Sequence, residues 1–270
     1  MRTLDTTAGI RAALAPHRRT RSIGLAPTMG ALHEGHLSLI RAARAENDLV
    51  VVSVFVNPAQ FGPGEDLDRY PRDPEQDGRL AAEAGVDLVF APPVEELYPP
   101  GFDTWVEVGE LGRRLEGAAR PGHFRGVATV CLKLFSIVRP DRAYFGQKDL
   151  QQATVVERMV RDLDLELELR VLPTVRDADG LALSSRNVHL SPEERRAALA
   201  RPRALEAGHA AHRDGGDAAA AARAVLAAER GLAADYVEVA RLDGRLVLAA
   251  AVRAGRTRLI DNAILEGALR

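Results

Sequence analysis

Ala26-Pro27-Thr28-Met29-Gly30-Ala31-Leu32-His33-Glu34-Gly35-His36 is the stretch on which the fold turns. It follows a short apolar run, Ser22 to Ala26, and precedes a helical pattern, Leu37 to Glu46. The order is strand, turn, helix, with Pro27 and Gly30 expected to break the strand. Gly35 lets a ligand approach backbone that a side chain would shield. Histidines three apart project from one face of the first helical turn, where free N–H groups and the helix dipole already favour an anion. Phosphate suits this arrangement. The same spacing is also half a zinc site, which needs a third and usually a fourth ligand. The single cysteine, Cys131, lies in an apolar helical run, and no His- or Cys-rich cluster offers the rest.

Outward from this motif, strands and helices alternate. Residues 3 to 15 read as an opening helix with Ile10 and Leu14 on one face and Asp5, Thr6 and Thr7 as candidate caps. Leu37, Ile40 and Ala43 should pack inward while Arg41 and Arg44 stay wet. Leu49 to Val56 is almost continuously apolar and β-branched, the pattern of a strand buried on both faces. Further elements are expected at 74 to 84 (helix), Asp87 to Phe90 (strand), His123 to Val138 (helix), Arg142 to Phe145 (strand), Asp149 to Asp162 (helix) and Leu167 to Leu172 (strand). The Pro/Gly-rich segment 91 to 122 reads as loop with a brief strand at Trp105 to Val108. The fold class is α/β: a Rossmann-like, doubly wound parallel sheet over residues 1–174.

Beyond Pro173 the character changes. Ser191-Pro192-Glu193-Glu194 is a capping box with proline at the first helical position. Residues 203 to 230 form alanine-rich helix broken at Gly215-Gly216, and Tyr236 to Ala240, Leu246 to Val252 and Thr257 to Asp261 read as a small antiparallel sheet. Residues 175–270 are thus expected to form a smaller C-terminal α+β domain, closing over the site.

With 270 residues, 46% hydrophobic and 27% charged, the chain is long enough for two ordinary domains and reads as soluble. A net charge of −2 argues against a general nucleic-acid binder. No apolar run approaches membrane-spanning length. One cysteine and a start without an apolar leader fit the cytoplasm.

Thirty-four of the 36 basic residues are arginine; only Lys133 and Lys148 are lysine. Lys133 lies in an apolar helix, where a stem reaching towards solvent explains it. Lys148 lies in a polar turn after a strand, where a compact ammonium serves where a planar guanidinium would not. The only adjacent pair among seven serines, Ser184-Ser185, precedes Arg186 in a loop. Hydroxyls, backbone N–H groups and a guanidinium suit a polyphosphate. Asn57 and Gln60, in the loop after Leu49 to Val56, are amides placed where a small polar substrate would lie at the carboxyl ends of the strands. Two phosphate-binding loops with a lysine between them describe nucleotidyl transfer; the Gly-rich GK[ST] signature of a P-loop is absent.

Pro27 to His36, Phe55-Val56-Asn57-Pro58-Ala59-Gln60-Phe61, Tyr144 to Gln152 and Leu183-Ser184-Ser185-Arg186-Asn187 together resemble the pantoate–β-alanine ligase (pantothenate synthetase) family, along nearly the whole chain and in order. His-x-Gly-His by itself marks only the wider nucleotidyltransferase superfamily. The resemblance implies ATP-dependent joining of pantoate to β-alanine through a pantoyl adenylate, with Mg²⁺, and a homodimer. It places His33, His36, Lys148, Ser184, Ser185 and Arg186 on the ATP phosphates. Met29, Gly35, Gly146, Asp149, Val175 and Leu183 would complete the nucleotide site, with Asp149 and Gly35 at the ribose. Leu183 stands where the family usually has methionine, and makes an equivalent apolar contact. Asn57, Gln60 and Gln152 would bind pantoate, and Asp77 would help place the metal. The 57 to 73 loop and the C-terminal domain are the candidates for closure. A nucleotidyltransferase that leaves its nucleotide on the product, and a non-catalytic nucleotide-binding module, remain as rivals.

Overall fold

A computed structural model describes residues 1–269. The chain divides into two compact units, one holding Met1–Gly146 and Val155–Leu172, the other Gln147–Thr154 and the chain from Pro173 onward.

In the first unit, six strands run parallel: β1 (Arg2–Leu4), β2 (Ile23–Thr28), β3 (Leu49–Val54), β4 (Leu88–Phe90), β5 (Arg142–Gly146) and β6 (Glu168–Leu172), in the order β1-β4-β3-β2-β5-β6. Chain order runs one way from β2 through β3 to β4 and the other way from β5 to β6. The switch point therefore lies between β2 and β5, where ligands of open α/β sheets bind beyond the strands' carboxyl ends. The histidine motif leaves the carboxyl end of β2, and Gly146 ends β5.

The crossover helices are α1 (Thr7–Leu14), α2 (Glu34–Glu46), α3 (Pro74–Glu83), the short α4 (Val94–Leu97) and α5 (Glu116–Ala119), then α6 (His123–Val138) and α7 (Leu150–Asp162). Leu37, Ile40 and Ala43 of α2 are buried as their spacing predicts, beside Val50 and Val52 of β3. Each leucine, isoleucine or valine here contributes roughly 1.5–3 kcal/mol on burial, and the alanine methyl less.

Three local expectations are corrected. Arg2–Leu4 is an edge strand paired with Leu88–Phe90, so the helix begins only at Thr7, capped by Thr6; three residues are too few to show a period. Pro27 lies inside β2 and does not end it. The Ser22 and Thr28 carbonyls face β3, bonding Leu49 and Phe55, whereas Ile23 faces β5 through Asp141. Pro27 shares the β5-facing parity, and that pairing stops at Leu25, so no ladder bond is lost. Finally, Trp105 to Val108 forms no strand: the Val106 N–H donates to Thr129 Oγ1 at 3.0 Å, and Trp105 stacks on Tyr98. Lys133, in the same region, lies 4.7 Å from the Phe102 ring centroid, so its ammonium covers an aromatic face.

The second unit carries an antiparallel sheet, β7 (Leu232–Leu242), β8 (Arg245–Ala254) and β9 (Thr257–Glu266), with α8 (Pro192–Ala198), α9 (Ala200–Arg213) and α10 (Ala218–Ala227). Ser191 and Glu194 form the expected capping box. The alanines serve packing as well as helix propensity: Ala198, Ala204 and Ala222 are buried with Leu248, Ala250 and Val252 of β8.

Candidate active site

Between β2 and α2 the chain makes a tight turn through two left-handed residues, Gly30 (φ 81°) and Ala31 (φ 50°). A side chain at Gly30 would bring its Cβ within 2.8 Å of an Asp77 carboxylate oxygen, so glycine is required there. Ala31 is in a conformation that disfavours L-residues, and Asp77 of α3 holds it. One Asp77 oxygen accepts the Ala31 N–H at 2.9 Å, the other the Leu32 N–H at 2.6 Å. Burial raises the Asp77 carboxyl above the ordinary carboxylate range, while these two N–H bonds pull the other way.

His33 and His36 are placed by this turn. His33 is the N-cap of α2 and His36 its third residue; the rings lie 4.1 Å apart at 31°. His33 Nδ1 accepts the Gly35 N–H at 3.1 Å, and His36 Nδ1 accepts the His33 N–H at 3.4 Å. A ring nitrogen that accepts carries no proton, so in both neutral rings the proton is on Nε2. The box thus makes two Nε2–H donors at the positive end of a helix. Gly35 contributes through this N–H.

Asn57 and Gln60 follow β3. Gln60 Nε2 donates to Met29 Sδ at 3.3 Å, which brings the first candidate substrate residue to the histidine turn. Asn57 is only 1% exposed, and its amide is fully used. Nδ2 donates to Gln60 Oε1 (3.0 Å) and the Gly126 carbonyl (3.2 Å), while Oδ1 accepts from Tyr98 Oη (2.9 Å) and the Ala59 N–H (3.3 Å). Both donors and the acceptor of the Asn57 amide are thus engaged within the protein, and through Nδ2 it supports Gln60, the neighbouring candidate contact.

Sequence reasoning missed the group behind Gln60. Its carbonyl lies 2.8 Å from His123 Nδ1 and 3.2 Å from Arg120 Nη2, and Arg120 also grips Glu65 through Nε (2.8 Å) and Nη2 (2.6 Å). Burial lowers His123 to a pKa of about 4. The available signal was spacing: Arg120 and His123 stand three apart across the Pro121-Gly122 step that leads into the apolar helix α6.

In the second unit, β9 packs against both the Gln147–Asp149 turn and the Ser185–His189 turn, bringing together two stretches far apart in sequence. Asn262 Nδ2 donates to the carbonyls of Gln147 (2.8 Å) and Lys148 (3.0 Å), fixing the lysine turn. Lys148 Nζ sits 3.3 Å from Asp149 Oδ1. Ser184 caps the later turn, its Oγ accepting the Arg186 N–H at 3.3 Å, and Ser185 is buried. The Leu183 N–H donates to the Val175 carbonyl at 3.0 Å, so these two candidate nucleotide contacts are adjacent. Gln152 is half-buried in the first turn of α7.

Among the described residues no three His, Cys, Asp or Glu side chains converge as a metal site. Asp77, the expected metal residue, is 4% exposed, and each of its oxygens accepts one backbone N–H of the turn. No helix among the described residues is long and apolar enough to cross a membrane.

Comparison with known proteins agrees along the whole length. The family described as Pantoate-beta-alanine ligase matches residues 2–264. Pantothenate synthetase from Moorella thermoacetica is 57% identical over 98% of this chain and 99% of its own. The crystal structure of pantothenate synthetase from Thermus thermophilus superposes with a TM-score of 0.94 at 51% identity, covering 99% of this chain and all of the other. A pantoate-beta-alanine ligase from Francisella tularensis, solved in complex with beta-gamma ATP and beta-alanine, gives a TM-score of 0.85 at 35% identity over 99% of both chains. By motif, fold and sequence alike, this chain belongs to the pantoate-beta-alanine ligase family.

Proposed function

We propose that this chain joins pantoate to β-alanine with ATP, by way of a pantoyl adenylate, releasing AMP and pyrophosphate. The observation that carries the reading is the histidine box. It presents two Nε2–H donors at a helix N-terminus, the arrangement an anionic phosphate chain calls for.

The pantoate carboxylate is already anionic at neutral pH and needs no base. Its oxygen attacks the α-phosphorus as the bond to the bridging oxygen breaks and negative charge passes to pyrophosphate. Both reactants are anions, so the chain's task is to compensate charge and to position. His33 and His36 donate to the phosphates, joined by Lys148, Ser184, Ser185 and Arg186. Gln60 and Gln152 hold pantoate, with Asn57 beside Gln60. Asp149 and Gly35 meet the ribose, and Met29, Gly146, Val175 and Leu183 line the nucleotide. The β-alanine amine then attacks the acyl carbonyl, forming the amide and expelling AMP. Mg²⁺, brought in with the nucleotide, would neutralise phosphate charge as it passes to pyrophosphate, with Asp77, which holds the histidine turn, as the carboxylate that would help place it. The working form is a homodimer in the cytoplasm, as the resemblance implies.

Mixing the protein with ATP, Mg²⁺ and pantoate alone should release pyrophosphate, and AMP should follow only when β-alanine is added. Pyrophosphate release independent of pantoate, or AMP left on the product, would refute the reading. Nucleotide binding without pyrophosphate release would leave a binding module.

A further inference from the structure

We propose that Arg120 and His123 are positioning residues for the reaction: they lock the Gln60 peptide so that its side chain meets substrate as a hydrogen-bond donor. This rests on the reading of Gln60 as a pantoate contact.

Atom roles around Gln60 follow from what each neighbour can do. A guanidinium has donors only. Arg120 Nη1 lies 3.3 Å from His123 Nε2, so Nε2 is the acceptor and the proton resides on Nδ1. Nδ1–H then donates to the Gln60 carbonyl at 2.8 Å, beside the donation from Arg120 Nη2 at 3.2 Å. Burial holds His123 neutral at ordinary pH, which keeps Nε2 an acceptor. The Arg120 guanidinium cannot swing away, because Glu65 takes Nε and Nη2 together and the buried Glu116 lies 3.9 Å from Nη1. α6 closes the remaining side: a Cβ at Gly126 would fall 2.2 Å from the Ala59 carbonyl oxygen.

The side-chain end is fixed independently. Asn57 Nδ2 donates to Gln60 Oε1, so that atom is the amide oxygen and Nε2 is the outward donor. Its partner, Met29 Sδ, is a weak acceptor. A carboxylate or hydroxyl oxygen of a small acid displaces a thioether readily. The backbone clamp and the Asn57 contact together preset both the place and the polarity of Gln60.

The test compares His123→Leu, His123→Asn, Arg120→Met and Arg120→Lys in the full chain, reading KM for pantoate, KM for ATP, kcat and melting temperature. His123→Leu and Arg120→Met should raise the pantoate KM by about tenfold or more, the scale on which small misplacements act, and leave the ATP KM near its original value. His123→Asn restores an N–H near the Nδ1 position and should recover most of the loss. Arg120→Lys keeps charge without the fork and should recover little. If His123→Leu fails to fold, the Arg120 pair carries the same readout. Unchanged pantoate KM in the folded variants, equal rises in both KM values, or no rescue by asparagine would each overturn the inference. A Gln60→Leu control separates the two readings. If it leaves the pantoate KM unchanged, the placement of pantoate fails; if it raises that KM while the Arg120 and His123 variants do not, this inference alone fails.

Discussion

The Asp77 carboxylate accepts the Leu32 N–H at 2.6 Å through one oxygen while its other oxygen holds the neighbouring Ala31 N–H, spanning 45 residues to pin the turn that carries both histidines. Asp77→Asn puts an amide N–H against one of those N–H groups. A buried donor left unsatisfied costs about 1–3 kcal/mol, so denaturant unfolding should show a loss of that size, with a raised KM for ATP. The Mg²⁺ requirement should rise with it, and an unchanged requirement would take Asp77 away from the metal.

His36→Ala removes one half of the box that caps α2. Losing a cap costs about 1 kcal/mol, so the variant should stay folded with a small drop in melting temperature. Pyrophosphate release should fall far more than stability does. A collapse in thermal stability would mean that the histidine serves the fold first.

Lys148→Ala should lower adenylate formation by roughly two orders of magnitude, the effect of losing one oriented donor to developing charge. Lys148→Arg is the sharper variant, because arginine fills almost every other basic position. Rapid-quench measurement of a single turnover distinguishes them. Full activity in Lys148→Arg would remove the case for a compact ammonium.

His123 gives stability a pH dependence of known sign. Its pKa is pushed down to about 4 by burial first and by Arg120 second. Between that value and its ordinary one near 6.5 the unfolded chain binds more protons than the folded chain. Stability present above about 6.5 is therefore lost as pH falls through the window, by up to about 3 kcal/mol. His123→Asn should flatten this part of the curve, with Arg120, Glu65 and Glu116 still in place; urea unfolding from pH 7 to pH 4.5 reads the slope. Equal slopes in the two proteins would contradict the assignment.

Arg201 of α9 is 1% exposed, and none of its three guanidinium nitrogens has a hydrogen-bond partner among the described residues. Its Nε lies 3.8 Å from Asp261 Oδ2, an oxygen already bonded by Arg176 at 2.7 Å. Desolvation lowers the Arg201 pKa. Removing one member of a buried ion cluster is costly when it strands the opposite charge, but Asp261 keeps Arg176 at 2.7 Å, so the loss of Arg201 strands nothing. Arg201→Met should therefore raise the unfolding midpoint or leave it unchanged; a clear drop would show that the charge supports the fold.

The sequence by itself determined every element whose cause is local. The apolar run at Leu49, the period of α2, the box at Ser191 and the step from strand to helix at His33 were all legible, because hydrophobic period and capping act within a few residues. The motif residues and the family were legible for the same reason. Tertiary structure decided the rest. That Pro27 sits inside a strand depends on where β5 stops pairing. That Asp77 clasps a loop and that Arg120 and His123 stand behind Gln60 are contacts between residues 45 to 63 positions apart, and the Asn57–Gln60 bond closes inside them. Local pattern reports which residues can do chemistry. Only packing tells which of their donors and acceptors the fold has already consumed, since nearly every buried polar atom takes its partner wherever the chain happens to bring one.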